Sequence, residues 1–182
     1  MTTENETHPG KIIARVAAGT ALTLSAGHAS ASLDKLATWF LAAFGAGLAL
    51  IVSHLSEVAT FIPKESLAIA AYLFLVATVI CVAQKYLAMT IASGADSAKE
   101  GRELGENLEH MDGEEFFVQI LRAMPWPAKS MCKELFDAAK KGDFAAGGRM
   151  FIRLTLLQGT LVSIQLLLLL VALTKIVNEI KA

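Results

Sequence analysis

The stretch richest in groups able to do chemistry is "RELGENLEHMDGEE" (102–115). On a helix Glu103, Glu106 and His110 share one face at i, i+3 and i+7, and two carboxylates with an imidazole can hold a divalent cation. A charge-rich helix beside a membrane presents the same residues to water, and that solvated face is the expectation here. His54 and Glu57 form a second pair, three residues apart at the end of an uncharged run. Imidazole titrates near neutrality, so the pair could respond to external pH. Two interfacial residues facing water is the plainer reading.

Amides make the third group. Gln158 and Gln165 lie seven residues apart and share a helical face with Thr155, in a run otherwise almost wholly apolar. Lipid cannot satisfy such groups, so they must bond across a helix interface or line a hydrated path. The sequence contains no phosphate-binding loop, no nucleophile elbow and no zinc-protease motif. No catalytic residue and no cofactor is expected, and the chain reads as non-enzymatic.

Lipid is the solvent that these positions imply. Leu36–Ser56, Ser66–Gln84 and Leu154–Thr174 carry no acid, Lys or Arg over 21, 19 and 21 residues. About 20 apolar residues in a helix match a hydrocarbon layer some 30 Å thick. Apolar residues are 54% of the chain and charged ones 18%, which leaves too little polar surface to wrap three such helices in water. The expected fold is therefore an all-α integral membrane protein with three transmembrane helices. An Ala-rich N-terminal helix and a cytoplasmic helical segment between spans two and three complete it. With a net charge of −1 the chain has no field to attract nucleic acid, and none is expected as a partner.

The boundaries follow from charge. Residues 1–35 form an N-terminal tail and Ala-rich helix, and 36–93 hold spans one and two with an external link at 57–65. Residues 94–150 form the cytoplasmic segment, and 151–182 hold span three with a short external tail. Lys85–Arg153 contains ten Lys and Arg, whereas the link "EVATFIPKE" holds only Lys64, so the N-terminus is expected in the cytoplasm. "KIIARVAAGTALTLSAGHASAS" carries a signal-like A-x-A arrangement but a weak apolar stretch, and is expected to stay uncleaved. Whether residues 11–30 enter the bilayer is open at this stage.

Packing and docking surfaces are also legible. Span one offers a small face through Ala42, Gly45, Ala46 and Ala49, and small faces let helices approach closely. Gly94, Ala98, Gly101 and Gly105 make a similar seam if span two continues as a helix. "DGEEFFVQILRAM" and "AKSMCKELFDAAKKG" read as amphipathic helices broken by Pro125-Trp126-Pro127. Trp126, Lys129, Lys133, Phe136 and Lys140 suit an interfacial or partner-binding helix. "GDFAAGGR" is expected to be a flexible connector. Cys81 and Cys132 are expected to be buried small hydrophobes.

In outline the chain is similar to small multi-pass proteins of bacterial inner membranes, some of which form pores. Two functions stay open. One is a membrane component that self-associates through its spans and docks a protein or the membrane surface with its cytoplasmic helices. The other is a homo-oligomeric channel with Gln165, Gln158 and Thr155 lining the path.

Overall fold

A computed structural model describes residues 9–58, 60–105, 113–123 and 128–179. Helices take up almost all of them, and no strand occurs among the described residues. In chain order they are α1 (Pro9–Ser53), α2 (Leu55–Val58), α3 (Lys64–Gly105), α4 (Gly113–Ala123), α5 (Ala128–Lys140) and α6 (Ala146–Asn178). α1, α3 and α6 are long and apolar enough to cross a membrane. These three helices define a multi-pass α-helical membrane protein.

The N-terminal helix and span one are not separate elements, because α1 runs unbroken through residue 35. Its sequence explains this. Ala recurs throughout, Pro9 occupies the first helical position, and no Gly-Pro or Asn-Gly punctuation falls inside. α3 likewise continues past Lys85 to Gly105. The link between α1 and α3 is tight, with Phe61 N and Ile62 N both donating to Val58 O at 2.9 Å. Pro63 then stands just ahead of α3, where its lack of an N–H costs nothing.

α5 ends on a left-handed glycine. Gly142 has φ of 81°, Asp143 N donates to Ala138 O, and Gly142 N donates to Ala139 O, a Schellman closure. α6 starts soon afterwards at Ala146, so Gly147 and Gly148 belong to its first turn. The flexible connector expected over 142–149 is thus a short turn followed by helix.

Two compact units divide the chain, Met1–His28 with Ile91–Arg153 and Ala29–Thr90 with Leu154–Ala182. In the second unit Gln158 bonds Ser30 and Gln165 bonds Ala37, both across 128 residues of sequence, so α6 runs parallel to α1. Asp34 meets Gln84, while Phe44 stacks on Phe74 with centroids 5.9 Å apart, so α3 runs antiparallel to α1. Inward positions follow a 3-4 alternation, as in Ala70, Phe74, Ala77, Cys81 and Gln84 on α3 and Gln158, Val162, Gln165, Leu169, Ala172 and Ile176 on α6. That period of 3.5 residues is the coiled-coil seam. Ile62, Ala70, Ala172 and Ile176 form its apolar core, packed by Phe44, Leu48 and Ile51.

Glycine dominates the packing of the first unit. A Cβ on Gly148 would lie 2.6 Å from Gly19 O and 2.7 Å from the Leu22 Cβ, so α1 and α6 touch there through backbone. The ring of Phe151 fills the space where a Gly94 side chain would stand, and a Cβ on Gly27 would come within 2.8 Å of the Ala95 Cβ. Within the proposed small-residue seam Gly94 and Ala98 are half-buried, but nothing lies within 4 Å of an added Cβ at Gly101. α4 and α5 contact each other.

Candidate functional site

The membrane-type unit carries a ladder of polar side chains along its seam. It begins at Asp34, one residue ahead of Lys35 and four before Thr38 on α1. Lys85 Nζ donates to Asp34 Oδ1 at 2.9 Å and to Oδ2 at 3.2 Å. The same ammonium donates to Thr38 Oγ1 at 2.9 Å. Gln84 Nε2 adds a further bond to Asp34 Oδ1 at 3.1 Å. The carboxylate thus receives three hydrogen bonds from two neighbouring residues of α3.

Gln84 passes the connection inward. Its Oε1 accepts from Gln158 Nε2 at 3.1 Å, and the same Gln158 amide donates to Ser30 O at 3.2 Å. Two turns farther along α6, Gln165 Nε2 donates to Ala37 O at 3.1 Å. Gln84, Gln158 and Gln165 are all 0% exposed. Both backbone acceptors lie within α1 and use the second lone pair of a helical carbonyl. Three atoms of the ladder, Ser30 Oγ, Gln158 Oε1 and Gln165 Oε1, have no hydrogen-bond partner among the described residues.

Electrostatics grade along the ladder. The Asp34–Lys85 pair keeps 30% and 45% of its side chains exposed, and it sits where the uncharged runs of α1 and α3 end. Trp39 and Tyr86, 76% and 64% exposed, stand within five residues of the pair on their own helices. Amphipathic aromatics favour the membrane–water boundary, and an ion pair is tolerable at that depth. The amides beyond it are neutral, as a low-dielectric interior demands. Chemically the arrangement fixes three helices in register.

Placement of the residues singled out from sequence is mixed. Gln158 and Gln165 lie inside one chain, and Thr155 is half-buried on the same helix. Gly45 is half-buried, with an added Cβ 3.1 Å from Phe74 Cζ, whereas Ala42, Ala46 and Ala49 are exposed. His54 Nδ1 lies 3.0 Å from Ser53 Oγ and 3.2 Å from Leu50 O, so its near partners are on α1. Glu57 lies three residues on, about one helical turn away, and its N–H donates to His54 O.

On α5, Lys129, Lys133 and Lys140 are exposed and Phe136 is half-buried, with Lys140 Nζ 4.6 Å from the centroid of its ring. Trp126, Glu106 and His110, together with the side chain of Glu103, lie outside the described residues. Among the described residues no group of three potential metal ligands comes together. Cys81 is buried and Cys132 half-buried, both as free thiols, and burial pushes the Cys132 thiol up.

Sequence reasoning missed Asp34 and Gln84 and gave Lys85 no partner on another helix. The signal was present in the period. Gln84 falls on the same 3-4 alternation as Ala70, Phe74, Ala77 and Cys81, which marks it as inward. Compared with known protein families, with curated proteins and with solved structures, the chain finds no match in any of the three.

Proposed function

We propose that this chain is a non-enzymatic membrane component that self-associates through the outer faces of its spans and docks a partner with α4 and α5. The complete burial of Gln84, Gln158 and Gln165 within one chain carries the reading. A channel lined by Gln165, Gln158 and Thr155 would have to pull both amides out of bonds they already make. The three amides face the interior, and the outer surface keeps apolar residues with the small positions Ala42, Ala46 and Ala49 among them. Small exposed positions on a span favour close approach of another helix. α5, with Lys129, Lys133 and Lys140 on its exposed side, suits an acidic protein surface or anionic lipid. The density of Lys and Arg between α3 and α6 supports a cytoplasmic position for these helices, with the N-terminus on that side.

Cysteine crosslinking in native membranes tests self-association. Ala42→Cys and Ala46→Cys, in a background with Cys81→Ser and Cys132→Ser, should give dimers, while Val79→Cys on α3 should not. Monomer at both α1 positions would remove the proposal. Planar-bilayer recording tests the channel directly, since a channel requires a current from the parent chain that Gln165→Leu abolishes.

A further inference from the structure

Hydrogen-bond polarity runs one way along the ladder and leaves its inner end short of a donor. The Asp34 carboxylate, paired with Lys85, only accepts, so Gln84 turns its amino group toward it. Gln84 Oε1 is then left to face Gln158, which must present its own amino group. Both Gln158 N–H groups are used, one on Gln84 Oε1 at 3.1 Å and one on Ser30 O at 3.2 Å. Turning the Gln158 amide over would set its oxygen against two acceptors, so its orientation is fixed from Asp34. Gln158 Oε1 therefore has two lone pairs and no donor among the described residues, in a side chain that is 0% exposed.

Ser30 holds a second orphan. Thr38, Thr78, Thr160 and Ser163 each donate to the carbonyl four residues back, at 2.8, 2.8, 3.0 and 2.9 Å. Ser30 makes no such bond although it is 1% exposed, and its Oγ has no partner among the described residues. The two orphans belong to one residue pair, already joined by the Gln158 bond to Ser30 O. Leaving both unmade at that depth is costly.

We propose that one water molecule is bound between Ser30 and Gln158, inside the three-helix seam. The Ser30 hydroxyl donates to the water oxygen, and the water donates one hydrogen to Gln158 Oε1. Water suits the pair because it both accepts and donates. An alkali cation would satisfy Gln158 Oε1 but leave a net charge in the seam, since the ladder's carboxylate, Asp34, is already balanced by Lys85. Buried waters bridge at least two polar groups. Gln165 Oε1 also lacks a partner, but no further orphan accompanies it among the described residues, and by that rule it stays dry. The water site belongs to the seam of one chain and requires neither self-association nor a docking partner.

Proton-detected solid-state NMR of the full chain, with isotope-labelled glutamine in deuterated phosphatidylcholine bilayers, tests it. The Gln158 Nε2 hydrogens should show a dipolar cross-peak to water, and those of Gln165 should show none. Ser30→Ala should abolish the Gln158 cross-peak. A thermal melt of the same variant in detergent separates a wet seam from a dry one by sign. With the water bound, losing the hydroxyl strips it of one partner, and the midpoint should fall by about 2–4 °C. In a dry seam Ser30→Ala merely deletes an unsatisfied polar group, and the midpoint should rise. No water cross-peak at Gln158 in the parent, or an equal one at Gln165, would overturn the proposal. So would a cross-peak that survives Ser30→Ala, or a higher midpoint in that variant.

Discussion

Gln158 Nε2 donates to Gln84 Oε1 at 3.1 Å, joining α6 to α3 at a point where both side chains are wholly buried. The bond sits between two others, one to Ser30 O and one to Asp34, so a single amide contact holds all three long helices at one level.

Replacing Gln158 with Leu removes both of its bonds and leaves Gln84 Oε1 without a donor. The expected cost is about 1–3 kcal/mol, read as a lower melting temperature in detergent. Gln165→Leu loses one bond and also deletes an acceptor that has no partner, so it should cost less, about 1 kcal/mol or below. The double variant Gln84→Leu/Gln158→Leu should cost less than the sum of its two singles, since no orphan amide remains between them.

Asp34 and Lys85 are partly exposed, so their pairing energy is modest. A double-mutant cycle with Asp34→Asn and Lys85→Met should return a coupling of about 0.5–1 kcal/mol at low salt, falling as salt screens the pair. Lys85→Met alone should be the milder change, because Asp34 keeps its bond from Gln84. An uncoupled cycle would remove the pair from the account of the fold.

Three glycines in long helices should behave in opposite ways. Gly148→Leu drives a side chain into Gly19 and Leu22 of α1, and Gly94→Val collides with Phe151. Both should lose several kcal/mol or fail to accumulate. Gly101→Ala meets open space on an exposed face and should gain about 0.5–1 kcal/mol from helix propensity. Thermal melts of these three variants are enough to check the contrast.

The Arg149 guanidinium bonds the Asp143 carboxylate, which holds that carboxyl below the usual range. Because the folded value is lowered, the pairing contributes above the ordinary carboxylate range and is lost as pH falls through the lowered value. Protection from hydrogen exchange in the first turn of α6, taken relative to the intrinsic amide rate at each pH, should therefore fall in acid. Asp143→Asn should show lower protection at neutral pH and lose most of the further fall in acid.

Much of the fold was legible because lipid leaves a coarse mark. Uncharged runs of span length located α1, α3 and α6 to within their continuous ends, and the apolar repeat at Phe116, Phe117, Ile120 and Leu121 located α4. The joins were not legible. Nothing in Asp34-Lys35 breaks a helix, so charge suggested a boundary where the backbone has none. Gly147-Gly148 looked like a hinge because glycine serves both turns and close packing, and only the neighbour at Gly19 distinguishes the two. The site was half visible. Gln158 and Gln165 stood out as amides in a leucine-rich run, but their partners are two backbone carbonyls and a glutamine at the end of its own run. A carbonyl acceptor has no signature in residue type.

The parallel course of α1 and α6 has a consequence for biogenesis. Neighbours that run in the same direction cannot pair as a hairpin, so α1 and α3 leave the ribosome before α6 does. During that interval Gln84 can reach Asp34, yet its own oxygen waits for a donor that arrives more than seventy residues later. Of these three helices, α6 is made after the other two and closes the polar seam.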